Sequence, residues 1–222
     1  SNVVHFVIKY QPMKERPHLY IIPIAHTYAD MGSLRDKIPV DEQYEAAVTR
    51  HWVGIFRYLN SLPPDFFPRL QIYQDGLANA PREIVDKIVD ETQTANYEIL
   101  RWLKKKGAVI FGTEDSSLLM EEYQALQAIT NCTDGEVKTA ARLEYLKKSS
   151  LLLEERDQSI AQRIRETLPG GKTGLLFIGA AHDVGSLLRN EFQVSTPEIV
   201  NPSCRRYYEN SITWGRRENE LS

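Results

Sequence analysis

Short apolar runs alternate with longer amphipathic stretches along the chain, which is the pattern of strands that alternate with helices. Five apolar runs predict β-strands: Val3–Tyr10, Leu19–Ile24, Leu70–Tyr73, Ala108–Phe111 and Leu175–Ile178. A polar, proline-containing segment separates the first two runs and favours an antiparallel hairpin. Helical stretches separate the other runs and favour parallel pairing. We therefore expect an α/β fold with a mixed, largely parallel sheet flanked by helices.

Apolar residues spaced three or four positions apart predict the helices between these strands. The predicted long helices are Asp41–Leu59, Pro81–Lys105, Ser116–Ile129 and Asp134–Leu168, and a short helix to about Asn190 follows His182. The stretch from Asp134 is long for one globular helix. Two alternatives are open: one continuous helix to Leu168, or two helices with a break near Ser149 and Ser150.

The length of 222 residues and a hydrophobic content of 42% suit a single α/β domain with its own core. We divide it into an N-terminal half of about 1–106, a C-terminal half of about 107–204 and a tail over 205–222. Acidic and basic residues are interspersed, with a formal net charge of −3. The chain thus lacks the basic stripe of a nucleic-acid-binding surface.

The apolar runs are far shorter than a membrane span, so none is expected. Cys132 and Cys204 have neither a metal-binding nor a redox-active spacing. Free thiols of this kind are typical of a reducing compartment, which predicts a cytoplasmic protein.

Ionisable residues follow four of the predicted strands, at the edge where open α/β sheets bind ligands. His26, Asp75, Glu114 and His182 hold these positions. Two imidazoles with one or two carboxylates match the ligands of a divalent transition metal such as Mn²⁺, Co²⁺ or Zn²⁺. The same groups can activate water directly. We predict His26, Asp75 and His182 as metal ligands, against the alternative that polar residues lie at strand ends because those ends face water.

Arg156 lies on the inward-facing stripe of the helix predicted from Asp134, beside Leu152, Leu153 and Ile160. A buried, unpaired guanidinium costs several kcal/mol, so Arg156 is expected to have a partner. Two interpretations are open. It forms a structural ion pair with a strand-end acid, or it faces the site and holds a carboxylate, a phosphate or a developing oxyanion.

The segment 153–164, with Glu155-Arg156-Asp157 inside it, and the strand that leads to Gly179-Ala180-Ala181-His182 resemble the second half of the TraB/Tiki superfamily. That superfamily includes TraB/PrgY and GumN-like proteins, Tiki proteases, erythromycin esterases and ChaN-like haem-binding proteins. Its pattern is two Gly-x-x-His motifs at strand ends, with acids and an arginine between them.

The N-terminal half departs from this pattern. Pro23-Ile24-Ala25-His26 has proline where the family has glycine, and Asp75 stands where a glutamate is usual. Arg35 resembles an active-site arginine of the esterase branch. The resemblance implies a fold built from two related halves and a pocket where both histidines meet the acids and an arginine. It leaves the reaction open, because relatives include metal-dependent proteases, metal-independent esterases and haem carriers.

These patterns lead to two functional hypotheses. The first is a hydrolase of ester or amide bonds, with His26, Asp75, Glu114, Arg156 and His182 as catalytic residues and Arg35 and Asp183 as substrate-binding residues. It would use one divalent transition metal or none. The second is a ligand-binding or regulatory module that uses the same pocket without catalysis. Either would bind a small molecule or a peptide, and a homodimer is left open.

Overall fold

The computed structural model describes residues 16–24, 42–179 and 181–197. Its sheet has five strands: β1 His18–Ile24, β2 Leu70–Ala78, β3 Val109–Glu114, β4 Thr173–Gly179 and β5 Gln193–Ser195. Their order is β3-β2-β4-β1-β5, and every pair is parallel. The predicted α/β fold with a largely parallel sheet is confirmed. The predicted strand Val3–Tyr10 and its antiparallel hairpin lie outside the described residues.

Six α-helices lie in the described ranges: α1 Glu42–Asn60, α2 Arg82–Glu91, α3 Ala95–Lys105, α4 Ser116–Asn131, α5 Gly135–Thr167 and α6 Val184–Leu188. A 3-10 helix, Pro64–Arg69, precedes β2. The single helix predicted over 81–105 is wrong, because Thr92 and Thr94 adopt extended backbone conformations and separate α2 from α3. In contrast, α5 runs without a break through Ser149 and Ser150. None of these helices is both long enough and apolar enough to cross a bilayer.

Alternation along the buried strands builds one core on each face of the sheet. In β4, Leu175 and Phe177 pack with α1, α2 and α3 in one cluster, whereas Leu176 and Ile178 pack with α5 and α6 in the other. Residues of β4 from Gly174 to Ile178 are buried, as expected for a central strand covered on both sides.

The topology creates a crevice between β2 and β4. From β2 the chain passes through α2 and α3 to β3 at one edge, and from β4 it passes through α6 to β5 at the other. Because β2 and β4 are neighbours and the chain leaves them in opposite directions, their carboxyl ends form a topological switch point. Open α/β sheets bind ligands at this position.

Strands β2 and β3 extend further than the apolar runs predict. Asp75 therefore lies within β2, and Glu114 is the last residue of β3, rather than each following its strand. The register of β2 against β3 shifts between Gln74 and Ala78. At this irregularity a Cβ on Gly112 would lie 1.9 Å from the Ala78 carbonyl oxygen, so only glycine fits. The irregular pairing of β2 with β3 continues past the apolar residues, and the carboxylates of Asp75 and Glu114 are buried there.

Candidate active site at the carboxyl ends of the strands

Ionisable side chains from four separate parts of the chain meet at the switch point. Asp75 comes from β2, Glu114 from β3, Arg156 and Asp157 from α5, and His182 from the loop after β4. The first four are buried, and the His182 side chain is 5% exposed. Buried charges are stable only when they are paired, so the geometry of the pairs decides what this cluster can do.

Arg156 lies at the centre of the acidic residues. Its Nε donates to Glu114 Oε2 at 3.1 Å and its Nη2 donates to Glu114 Oε1 at 2.6 Å, which is a bidentate pair. Nη2 also donates to Asp75 Oδ1 at 3.1 Å, and Nη1 donates to Glu122 of α4. The ion pair with strand-end acids, one of the two interpretations of Arg156, is therefore present.

The imidazole of His182 is held from both sides. Nδ1 lies 2.5 Å from Asp157 Oδ1, and Nε2 faces Asp75 Oδ2 at 3.7 Å. Asp157 also accepts a hydrogen bond from the Asp183 backbone N–H at 2.8 Å, so the same carboxylate fixes the loop that carries the imidazole. A carboxylate on Nδ1 selects the tautomer that leaves Nε2 free to bind a metal or exchange a proton.

The backbone groups of Gly179 and His182 are part of this arrangement. The Gly179 N–H donates to Asp75 Oδ2 at 2.8 Å, and the His182 N–H donates to the Gly179 carbonyl at 3.2 Å. A Cβ on Gly179 would lie 3.2 Å from Asp75 Oδ2, which is tight. A small residue here lets the end of β4 approach the Asp75 carboxylate.

The pKa values of the two central carboxyls, Glu114 and Asp75, are shifted in opposite directions. Burial raises the pKa of Glu114, and the neighbouring Asp75 reinforces the rise against the opposing effect of Arg156. Burial would also raise the pKa of Asp75, but His182, Glu114, the Gly179 N–H and Arg156 together lower it. Of the two carboxyls, Glu114 is therefore the easier to protonate, and Asp75 stays ionised to lower pH.

The pKa of His182 is shifted upwards. Burial would lower its pKa, but the hydrogen bond to Asp157 and the charges of Asp75 and Asp157 raise it above its ordinary value of 6.5, against the opposing charge of Arg156. Because the folded-state pKa exceeds the unfolded one, protonated His182 stabilises the fold below pH 6.5. That contribution is lost as pH rises through the folded-state value.

Three of these residues are placed to share a cation. One ligand atom from each of Asp75, Glu114 and His182 lies within 4.8 Å of the other two. Two tetrahedral ligands with bonds of about 2.1 Å lie about 3.4 Å apart, close to the 3.7 Å between His182 Nε2 and Asp75 Oδ2. Two oxygens and one nitrogen also suit Mn²⁺, Co²⁺ or Zn²⁺, so the donors fit one such ion.

Three predicted site residues remain: His26, Arg35 and Asp183. His26 and Arg35 are outside the described residues, so the predicted meeting of His26 with His182 stays a prediction. Asp183 is exposed, and its carboxylate accepts a hydrogen bond from Ser186 Oγ at 2.8 Å. Its predicted role in binding substrate also stays a prediction.

Two contributing residues were missed by the sequence analysis. Asp157 directly follows Arg156 and belongs to the Glu-Arg-Asp run, so its position in that motif was a usable signal. Glu122 binds Arg156 from α4 and accepts a hydrogen bond from the Tyr145 hydroxyl at 3.3 Å. The neighbouring residues in the sequence do not distinguish Glu122 from a surface glutamate, because its contacts depend on how α4 packs on α5.

Fold and site together define an α/β protein with a buried Asp-Glu-Arg-His cluster at the switch point of a parallel sheet. The chain matches no protein-family model, no curated protein and no solved structure. The resemblance to the TraB/Tiki superfamily therefore depends on the motif residues alone.

Proposed function

We propose that the protein is a hydrolase of ester or amide bonds whose reaction centres on His182. The observation that carries the proposal is the position of this imidazole, which Asp157 holds at Nδ1 while Nε2 faces Asp75 in the crevice. An oriented histidine with a free Nε2 is the usual group for moving a proton between water and a leaving group.

In this mechanism the neutral His182 accepts a proton from the attacking water at Nε2 and later donates it to the leaving group. Asp75 and Asp157 stabilise the imidazolium that forms in between, which is also why they raise the pKa of His182. A raised pKa makes the neutral imidazole a stronger base toward the attacking water.

In the alternative, metal-assisted route, Asp75, Glu114 and His182 would hold a divalent cation, and Nε2 of His182 would then be a ligand and not the base. Such an ion supplies a bound water of lowered pKa and polarises a carbonyl. Arg156 acts as a positioning residue, because Nε, Nη1 and Nη2 all donate to carboxylates of the cluster. It keeps Asp75 and Glu114 in place beside the imidazole.

A hydrolysis screen of the purified protein tests the proposal. The panel contains esters and N-acyl amides, each assayed after chelation and after addition of Mn²⁺, Co²⁺ or Zn²⁺. We expect turnover of at least one ester or amide. Loss of turnover on chelation and recovery with one ion would assign the metal-assisted route, and turnover insensitive to chelation would assign the direct route. No turnover under any condition would contradict a hydrolase.

One observation favours a binding module as the second candidate. Each oxygen of Asp75 and Glu114 already accepts a hydrogen bond from Arg156 or from the backbone N–H of Gly76 or Gly179. Fully satisfied networks of this kind rigidify a structure, and that is enough for a preformed binding site without a reaction. Saturable binding of an ion or ligand without turnover would favour this candidate.

A further inference from the structure

A cavity of about 500 Å³ lies beside the candidate active site, on the α5 side of the sheet. Its walls come from the end of β3, the first turn of α4 and the C-terminal third of α5. Hydroxyls of Ser116, Ser117 and Ser159 line it, together with Arg163. Glu114 lines the cavity and also belongs to the cluster around Arg156, so the two places share a wall.

The acidic residues of the cavity wall already have partners. Both Glu114 oxygens accept from Arg156. Asp115 Oδ1 accepts from the backbone N–H groups of Ser117 and Leu118 and so caps α4. Glu166 Oε1 accepts from the Gln162 amide at 2.8 Å. Asp115 and Glu166 keep their charges but are exposed, so water and salt screen them, whereas Arg156 balances the buried Glu114.

Arg163 also lines the cavity but, unlike these acids, has a buried polar atom without a partner. Its guanidinium lies 5.6 Å from the centre of the Phe111 ring, which supports it on one side. Its Nε is buried without a hydrogen-bond partner, and no carboxylate among the described residues forms an ion pair with it. A buried donor of this kind is costly, and a bound group that accepts from it would remove the cost.

We propose that this cavity binds a small organic molecule through its carboxylate, with Arg163 as the counter-ion. A carboxylate matches the fork of guanidinium donors. Ser117 Oγ already donates to Asp115, so the hydroxyls of Ser116 and Ser159 supply the neutral hydrogen bonds for the rest of a polar ligand. Because Glu114 forms part of the wall, the bound acid lies next to the catalytic cluster. If the proposed hydrolase function holds, the substrate is an ester or amide that carries a carboxylate.

NMR titration of the full chain tests this site without any need for turnover. The probes are N-acetylglycine and its uncharged amide, which differ mainly in the carboxylate, and inorganic phosphate is the third arm. We expect N-acetylglycine to produce saturable shifts of the Arg163 Nε–H and of the Ser159 backbone amide. The neutral amide should produce much smaller shifts.

Two variants place the binding at Arg163. Arg163→Gln removes the charge and should weaken N-acetylglycine binding about tenfold or more, because charge-assisted hydrogen bonds are the strong ones. Ser159→Phe keeps the charge and fills the cavity, and it should have a similar effect. Arg165→Gln is the matched control on the same helix, since Arg165 pairs with Glu191 instead, and should leave the affinity unchanged.

Three outcomes would overturn the carboxylate site: no saturable binding, equal binding of the neutral amide, or phosphate binding in place of N-acetylglycine. Binding that survives both Arg163→Gln and Ser159→Phe would also overturn it. These results are separable from the hydrolysis screen, because carboxylate binding without turnover contradicts only the proposed function. Turnover of uncharged substrates alone would contradict only the carboxylate site.

Discussion

Replacing Arg156 with methionine is expected to lower the free energy of unfolding by about 3–5 kcal/mol at neutral pH. Methionine keeps most of the volume but leaves Asp75, Glu114 and Glu122 without their shared cation. The side chains of Asp75 and Glu114 are 7% and 0% exposed, so water cannot replace the guanidinium. Denaturant unfolding followed by circular dichroism measures the loss.

The control for this prediction is Arg165→Met on the same helix. Arg165 pairs with Glu191, whose side chain is 50% exposed, so its loss should cost about 1 kcal/mol or less. Adding Glu114→Gln to Arg156→Met should recover part of the stability, because one buried charge is removed with its partner. A loss below about 1 kcal/mol in Arg156→Met would contradict the ion-pair network.

Acid should weaken the same network in the wild-type protein. The lowered pKa of Asp75 means that its contribution to stability is present above its ordinary value of 3.8 and is lost as pH falls through the folded-state value. The unfolding free energies of the wild type and Arg156→Met should therefore converge in acid.

Replacing His182 with alanine is expected to lower kcat/KM of the proposed hydrolysis about 10²- to 10⁴-fold, the usual contribution of a general acid–base group. Asp157→Asn keeps the imidazole but alters the bond at Nδ1, so it should cost about 10- to 100-fold. The Asn variant should also shift the pH profile, which a merely structural role would not do. Steady-state kinetics from pH 5 to pH 9 separates the two effects.

His18→Gln is the matched control for these variants. His18 lies at the amino end of β1, where it hydrogen-bonds to Ser195 Oγ. The site lies at the carboxyl ends of the strands, so His18 is at the opposite end of the sheet. Activity should be unchanged within about twofold, since surface substitutions away from special features have small effects. Wild-type kcat/KM in His182→Ala would remove His182 from the mechanism.

Much of this site could be predicted because a parallel sheet brings its strand ends together. Asp75, Glu114 and His182 were selected only as residues near the ends of apolar runs, and the crevice between β2 and β4 gathers all three. Arg156 was selected because a charge on an inward-facing stripe needs a partner. Both arguments use general rules of burial and topology, which is why they survive in the structure.

The parts that could not be predicted depend on tertiary contacts. The burial of Asp75 within β2 follows from the irregular pairing with β3 beside Gly112, and no apolar residue marks it. The division between α2 and α3 falls at Thr92–Thr94, without a glycine or proline as a signal. Strand β5 has three residues and forms because β1 offers it a free edge.

The central claim is that His182, held by Asp157, faces Asp75 in one shared site, and an NMR pH titration of the imidazoles tests it most directly. The signal of His182 is assigned by its loss in His182→Gln. Burial lowers the pKa of His18 and His51. His182 should therefore have the highest pKa of the three histidines in the described ranges, and that pKa should lie above 6.5. Both Asp75→Asn and Asp157→Asn should bring its pKa down. A His182 pKa at or below 6.5, or one that neither substitution changes, would contradict the account.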